Sequence, residues 1–306
     1  MGYLKNFMPK KDKKLVTHDG SFHSDDVFAC AALCLLLEKK GEKFKIIRTR
    51  DEKIIQTGDY VFDVGGIYDE KTNRFDHHQP GGAGRRDNGI EYSSFGLVWK
   101  KFGADICGSE QASELLSKKL VFPIDAFDNG FDLVENKHDV SPYFIQHIFF
   151  AMEPTWRENN LDKNKIFLRC VNMAKEILSR EMVQSQDTVL AEESIATIYK
   201  NTKDKRIIVL DKNYPFEYIL YNFPEPLFAI YPRKADNTWG VKAVRNNPKT
   251  FINRKNLPKA WAGLRDGELQ KITGVEDAIF CHRGLFMAVA KTEKGAVKLA
   301  QIAVES

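Results

Sequence analysis

Cysteine is scarce in this chain, and so are long apolar runs, sequence repeats and any excess of one charge sign. The five cysteines, at 30, 34, 107, 170 and 281, form no C-x-x-C pair and are too scattered for a disulfide framework. Their odd number leaves one thiol over, which points to a reducing, cytoplasmic setting. No apolar run reaches the roughly 18–20 residues of a membrane span. The best, Val27 to Leu37, is shorter and carries helical periodicity. The opening MGYLKNFMPKKDKK holds five lysines, but no hydrophobic region follows, and it lacks the Arg and Ser of a transit peptide. With 46 Lys+Arg against 42 Asp+Glu, the net charge of +4 argues against a dedicated non-specific nucleic-acid coat protein. What is present is ordinary for a globular enzyme: 43% hydrophobic and 29% charged residues. At roughly 150 residues per domain, 306 residues suggest two domains.

The N-terminal part alternates short apolar runs with helices. LVTH (15–18) reads as a strand. Ser24 is then placed as an N-cap, with Asp25 and Asp26 in the first turn and Gly41 past the helix end. FKIIRT (44–49), YVFDV (60–64) and RFDHH (74–78) are further strands, the last running into the glycine-rich QPGGAGRRDNG. Ser93-Ser94 opens a helix through Lys101, and another fits 109–122. Strands alternating with helices predict an α/β domain with a mainly parallel sheet over residues 1–200. Helical spacing fills 155–200, and NTKDK (201–205) reads as a linker. Beyond it, RIIVL, EYILYN, LFAIYP and WGVKAV are four strands, followed by a helix at 259–272, AIFCH, LFMAVA and a closing helix. Residues 206–306 therefore read as a smaller α+β domain, expected across a cleft from the first.

The chemistry lies in His and Asp residues at strand ends and helix starts. His18 ends the first strand, and His23 and Asp25 stand at the start of the next helix. Asp63 ends YVFDV, Asp76, His77 and His78 end RFDHH, and Asp125 and Asp128 lie in IDAFDNG. In an open α/β sheet, ligands bind beyond the carboxyl ends of the strands, so these four segments are placed to converge. Carboxylates brought together repel unless cations neutralise them. Mixed carboxylate and imidazole donors without thiolate suit Mn²⁺, Mg²⁺ or Co²⁺. Taken singly each piece is weak, since Asp25 and Asp26 also complement a helix dipole and Asp63 also suits a turn. Arg85 and Arg86, after Gly81-Gly82-Ala83-Gly84, offer guanidinium charge to an anion. Trp239, Trp261 and Phe286 are aromatics that stack bases or fill a core. No serine or cysteine triad, G-x-S-x-G, P-loop or H-E-x-x-H pattern appears.

The blocks THDGSFHSDDVFA, VFDVGGIYD, RFDHHQ, YSSFGLVW and IDAFDNG resemble those of the MYG1 (UPF0160) family. NLPKAWAGLRDGEL and IFCHRGLF extend the resemblance through the C-terminal part. That family is similar to the DHH phosphoesterase superfamily of RecJ exonucleases and family II pyrophosphatases. The resemblance implies a DHH-like catalytic domain with two divalent ions, Mn²⁺ foremost. It places His18 and His23 on one ion, Asp25 on the other and Asp63 between them. His77 and an aspartate of D-A-F-D-N-G, Asp128 ahead of Asp125, are implied to complete the ligands of the second ion. Asp76 is implied to orient His77, and His78 to face the substrate phosphate. One departure stands out: the pyrophosphatases carry an Asp near the position of His23, so the site here has less negative charge. Among the scattered basic residues Arg233, Arg245, Arg254, Arg265 and His282, only Arg265 and His282 fall inside the family-like blocks, as candidate substrate contacts.

The implied activity is 3′→5′ exonucleolysis of RNA or other single-stranded nucleic acid by a metal-activated hydroxide, with no protein nucleophile and no membrane partner. Rival readings are a hydrolase of oligonucleotides, cyclic dinucleotides or pyrophosphate, and a non-catalytic nucleic-acid-binding protein with a structural metal. The net charge of +4 averages an acidic cluster with basic residues elsewhere, so it is compatible with a polyanion gripped locally.

Overall fold

The computed structural model describes residues 11–136, 138–158 and 161–306, so most of the lysine-rich opening segment lies outside the described residues. The chain divides into two units, 1–186 and 187–306, a boundary that falls inside one long helix.

In the first unit the order is β1 (Lys13–Thr17), α1 (Ser24–Lys39), β2 (Phe44–Arg48), α2 (Glu52–Ile55), β3 (Tyr60–Phe62), β4 (Tyr68–Asp69) and β5 (Arg74–Phe75). There follow α3 (Ser94–Cys107), α4 (Glu110–Leu116), α5 (Phe122–Asp128), α6 (Ile145–Met152) and α7 (Lys163–Asn201). The sheet order is β2-β1-β3-β5-β4, parallel throughout except for the short edge strand β4. Leu15, Val16, Val61 and Phe62 are buried without alternation, as befits central strands covered on both faces. Helix α1 is apolar nearly all round, and every residue from Ser24 to Leu37 except Leu35 is buried. That is the pattern of a helix sunk in a core. Phe28 meets Phe95 of α3 and Phe149 of α6 at ring separations of 5.4 and 5.7 Å. Val16, Val61 and Val64 pack with Ile55 of α2. Among the described residues, no helix is long and apolar enough to cross a membrane. All five cysteines are buried free thiols.

Several local expectations are corrected. Helix α1 is capped by His23, with Ser24 as its first residue: the His23 N–H donates to the Asp26 carboxylate at 2.9 Å. Helix α3 runs past Lys101 to Cys107 and stops at Gly108, whose φ of +71° is left-handed. The expected 109–122 helix continues to Asp128 through a wide π turn at Ser117–Val121. That turn admits Pro123, which has no N–H and would crowd a regular turn. Asp125 and Asp128 therefore sit at a helix end rather than beyond a strand.

The second unit holds β6 (Ile207–Val209), β7 (Phe228–Arg233), β8 (Thr238–Ala243), α8 (Asp266–Thr273), β9 (Ala278–Cys281), β10 (Met287–Ala290) and α9 (Glu293–Glu305). The sheet order is β6-β7-β8-β10-β9, antiparallel except for β6 against β7. One core cluster joins Phe228, Ile230 and Val241 to Leu269 of α8 and Leu299 of α9, with Trp261 buried among them. Trp261 is therefore core rather than a base-stacking surface. EYILYN, expected as a strand, forms two 3₁₀ turns, Phe216–Tyr218 and Leu220–Asn222. Phe216, Ile219 and Leu220 are spaced three and four apart, so a helical turn buries all three together. The expected helix at 259–272 is a 3₁₀ turn at Lys259–Trp261, then α8, separated at Gly263 with φ of +78°.

Candidate metal centre

The strand register builds the site. Val16 pairs with Val61, and Phe62 with Phe75, so the residues that follow, His18, Asp63 and Asp76, leave three parallel strands at one edge. Between β1 and β3 the chain order reverses, the place where open α/β sheets bind ligands. Asp63 adopts a left-handed backbone with φ of +53°, a conformation an aspartate tolerates better than most residues. The start of α1 supplies His23, Asp25 and Asp26, and the end of α5 supplies Asp128.

The side chains converge. His18 Nε2 lies 3.0 Å from Asp63 Oδ2 and 3.4 Å from Asp26 Oδ2. His77 Nε2 faces three carboxylates: Asp128 at 3.3 Å, Asp63 at 3.5 Å and Asp25 at 3.9 Å. His23 Nδ1 is 3.7 Å from Asp128 Oδ1, and Asp25 completes that group. All six of the expected ligand residues, His18, His23, Asp25, Asp63, His77 and Asp128, thus lie in one cluster. Asp26 belongs to it too. Its position in the first helical turn suggested only a dipole partner, and nothing local in the sequence distinguishes the two roles.

The electrostatics are those of an overfilled acidic pocket. Burial, reinforced by the charge of Asp63, pushes the Asp25 carboxyl up to about 7. Burial with the charges of Asp25 and Asp63 pushes Asp128 up to about 10 and holds Asp26 well above the usual carboxylate range. Asp63 is the exception: burial acts upward, but hydrogen bonds to His18 and His77 and the charges of His18 and His78 bring it below the usual range. Both Asp25 oxygens, Asp26 Oδ2 and His77 Nε2 are buried and lack a hydrogen-bond partner among the described residues. Buried polar atoms are normally satisfied, so these point to a ligand. Divalent cations fit on both counts, taking carboxylate and imidazole donors while neutralising the crowded charge.

The surrounding residues differ from expectation at Asp76 and Arg86. Asp76 holds His78 rather than His77: its Oδ1 is 2.9 Å from His78 Nδ1 and accepts the His78 N–H at 3.0 Å, while Oδ2 accepts the Gly66 N–H at 2.6 Å. That hydrogen bond outweighs burial and raises His78 to about 9, with the ring still largely exposed. Asp125 lies behind the cluster, fully buried, accepting the Ser93 hydroxyl at 2.5 Å and the Gly96 N–H at 3.0 Å. Arg86, expected to grip an anion, is ion-paired with Asp125 and stacked on Tyr92 and Phe122 at 4.0 and 4.3 Å. Its side chain is only 10% exposed, so its charge is already committed. Arg85 is exposed and pairs with Glu91 at 2.9 Å.

Sequence reasoning missed several supports. Ser94 donates its hydroxyl to Asp63 at 3.1 Å, and Gln146 of α6 accepts the Ser24 N–H at 2.6 Å. Both contacts are long-range and leave no local signature. In the second unit, Arg265 stacks on Phe280 at 4.6 Å, and His282 packs on Phe286 at 4.3 Å while accepting the Gly284 N–H at 2.9 Å.

An α/β sheet with a largely buried His and Asp cluster at its switch point is the arrangement of a metal-dependent hydrolase. The chain belongs to the MYG1 family, described as uncharacterised protein family UPF0160, which matches residues 14–304. It is 30% identical to the MYG1 protein of Dictyostelium discoideum, over 94% of this chain and 95% of that one. It is 30% identical to a MYG1 protein of Saccharomyces cerevisiae over 96% of each chain. It is 28% identical to the MYG1 exonuclease of Homo sapiens, over 94% of this chain and 85% of that one. A solved exopolyphosphatase-related protein of Bacteroides fragilis aligns over 96% of this chain and 92% of its own, at 12% identity and a TM-score of 0.25.

Proposed function

We propose that this protein is a 3′→5′ exonuclease on RNA or other single-stranded nucleic acid, dependent on two divalent ions, Mn²⁺ foremost with Mg²⁺ or Co²⁺ as substitutes. His18, His23, Asp25, Asp63, His77 and Asp128 hold the ions, with Asp128 preferred to Asp125 because Asp125 is already satisfied by Ser93, Gly96 and Arg86. The observation that carries the reading is the burial of Asp25, Asp26 and Asp63 together, with the half-buried Asp128 beside them and Asp25 left without hydrogen bonds. The name exonuclease borne by the relatives supports a nucleic-acid substrate.

When bound, such ions polarise a phosphoryl oxygen and lower the pKa of water near neutrality. The remaining work falls to the chain. His78, exposed and held by Asp76, presents a donor to a phosphate oxygen. Ser94 and the His18 imidazole fix the Asp63 carboxylate from both sides. In this reading residues 1–200 are catalytic and 206–306 bind substrate through Arg265 and His282, in a cytoplasmic protein.

The test is release of mononucleotides from the 3′ end of labelled RNA by purified protein with Mn²⁺. Asp63→Ala and His77→Ala should each abolish it, and retained activity in both would sink the ligand assignment. Cleavage confined to dinucleotides or pyrophosphate would replace the substrate with a small phosphate compound.

A further inference from the structure

The 29 residues from Asn237 to Arg265 contain seven Lys or Arg and no Asp or Glu, in a chain that is otherwise nearly balanced. The structure sorts them. Arg254 donates to the carbonyls of Tyr221, Phe223 and Pro226, and Lys255 to that of Val304, so both are structural. Lys242 is paired with Glu217. Lys249 and Lys259 are exposed, and Arg245 is half-buried, donating to the Pro248 carbonyl at 3.4 Å.

The stretch also folds into a defined surface. Past β8, the Arg254 N–H donates to Val244 O at 2.9 Å and the Asn246 N–H to Ile252 O at 3.0 Å, closing a small hairpin. Asn247 turns its tip by accepting the Lys249 N–H on its side chain at 2.8 Å. Phe251 stands on this hairpin 88% exposed, with the Arg245 guanidinium 4.9 Å from its ring centre. Beside it lies a cavity of about 230 Å³ lined by Lys242, Arg245, Phe251, Asn253 and Phe286. The far wall, Phe286, is backed by the ring of His282.

The exposed ring offers a face on which a base stacks, and the guanidinium beside it offers positive charge to the adjoining phosphate. Basic residues tracking a backbone, with aromatic faces on which bases stack, are the means by which proteins hold single strands without reading sequence. We infer that Arg245, Phe251 and Phe286 form a docking site for single-stranded nucleic acid, with a base stacked on Phe251 and its phosphate beside Arg245. The inference rests on nucleic acid being the substrate, but it concerns residues other than the metal cluster.

Binding is therefore measured apart from hydrolysis, on the full chain in EDTA, by fluorescence anisotropy of a fluorescein-labelled oligouridylate. Phe251→Ala should weaken binding about tenfold, and its exposed position leaves the melting temperature unchanged. Arg245→Gln should reduce the slope of log K against log salt by about 0.7, the share of one phosphate contact on a single strand. Failure of the parent protein to bind, or variants that bind as it does with the same salt slope, would overturn the site. A protein that binds through this surface yet releases no nucleotide with Mn²⁺ would overturn the exonuclease reading and leave the docking site standing.

Discussion

Arg86→Gln separates a structural arginine from a substrate-gripping one. In the folded protein burial pushes the Asp125 carboxyl up to about 6, with the Arg86 charge and the Ser93 hydroxyl holding it from rising further. At pH 7 the carboxylate is thus mostly ionised, opposite Arg86. With glutamine at 86 the cation is gone, and Asp125, fully buried, takes up a proton at pH 7 instead. Its folded pKa then exceeds the unfolded value by still more, so stability is present at low pH and lost as pH rises. Each unit between the wild-type titration and the working pH is worth about 1.4 kcal/mol. The titration-linked deficit is therefore near zero at pH 5, about 1 kcal/mol at pH 7 and about 3 kcal/mol at pH 8. Loss of the stacking on Tyr92 and Phe122 adds about 1–2 kcal/mol at every pH. Urea unfolding of metal-free protein and variant at pH 5, 7 and 8 measures both parts. A deficit that does not grow with pH would refute the reasoning. A variant with unchanged stability and a raised KM for RNA would return Arg86 to the substrate.

Two further outcomes follow from the same cluster. Gly96→Ala places a methyl group against the Asp125 carboxylate at a separation real atoms do not adopt, so helix α3 or Asp125 must shift. It should destabilise by about 1–3 kcal/mol, and a melting temperature equal to that of the parent would show that the site relaxes freely. Mn²⁺ affinity should rise between pH 6 and pH 8, because Asp25 at about 7 and Asp128 at about 10 hold protons that binding must displace. Titration calorimetry in buffers of different ionisation enthalpy should detect at least one proton released, and an affinity flat across that range would contradict it.

The residues of the His and Asp cluster are legible because strand ends and helix starts can be read locally. Apolar runs mark β1, β3 and β5, and polar residues that follow a parallel strand emerge at a common edge whatever the rest of the fold does. His18, Asp63 and the Asp76–His78 run were found this way. Asp128 was found by resemblance to a family motif, and its place at the end of α5 depends on a π turn that no periodicity announces. The strand expected at EYILYN failed for a related reason. Its apolar residues satisfy either a strand or a tight helical turn, and only burial of Phe216, Ile219 and Leu220 on one face decides between them.

Spacing along the chain determined the mainly parallel first sheet, since it acts through neighbours a few residues apart, while resemblance to a family supplied the class of protein and the six expected donors. Tertiary structure alone decided how the charges are shared out. It gave Asp26 to the cluster, turned Asp76 to His78, and committed Arg86 to Asp125 across a gap of 39 residues. It also left Phe251 exposed beside Arg245, among cations that the net charge had averaged away. Ion pairing and desolvation depend on distance in space, and for these residues that distance exists only once the chain has folded.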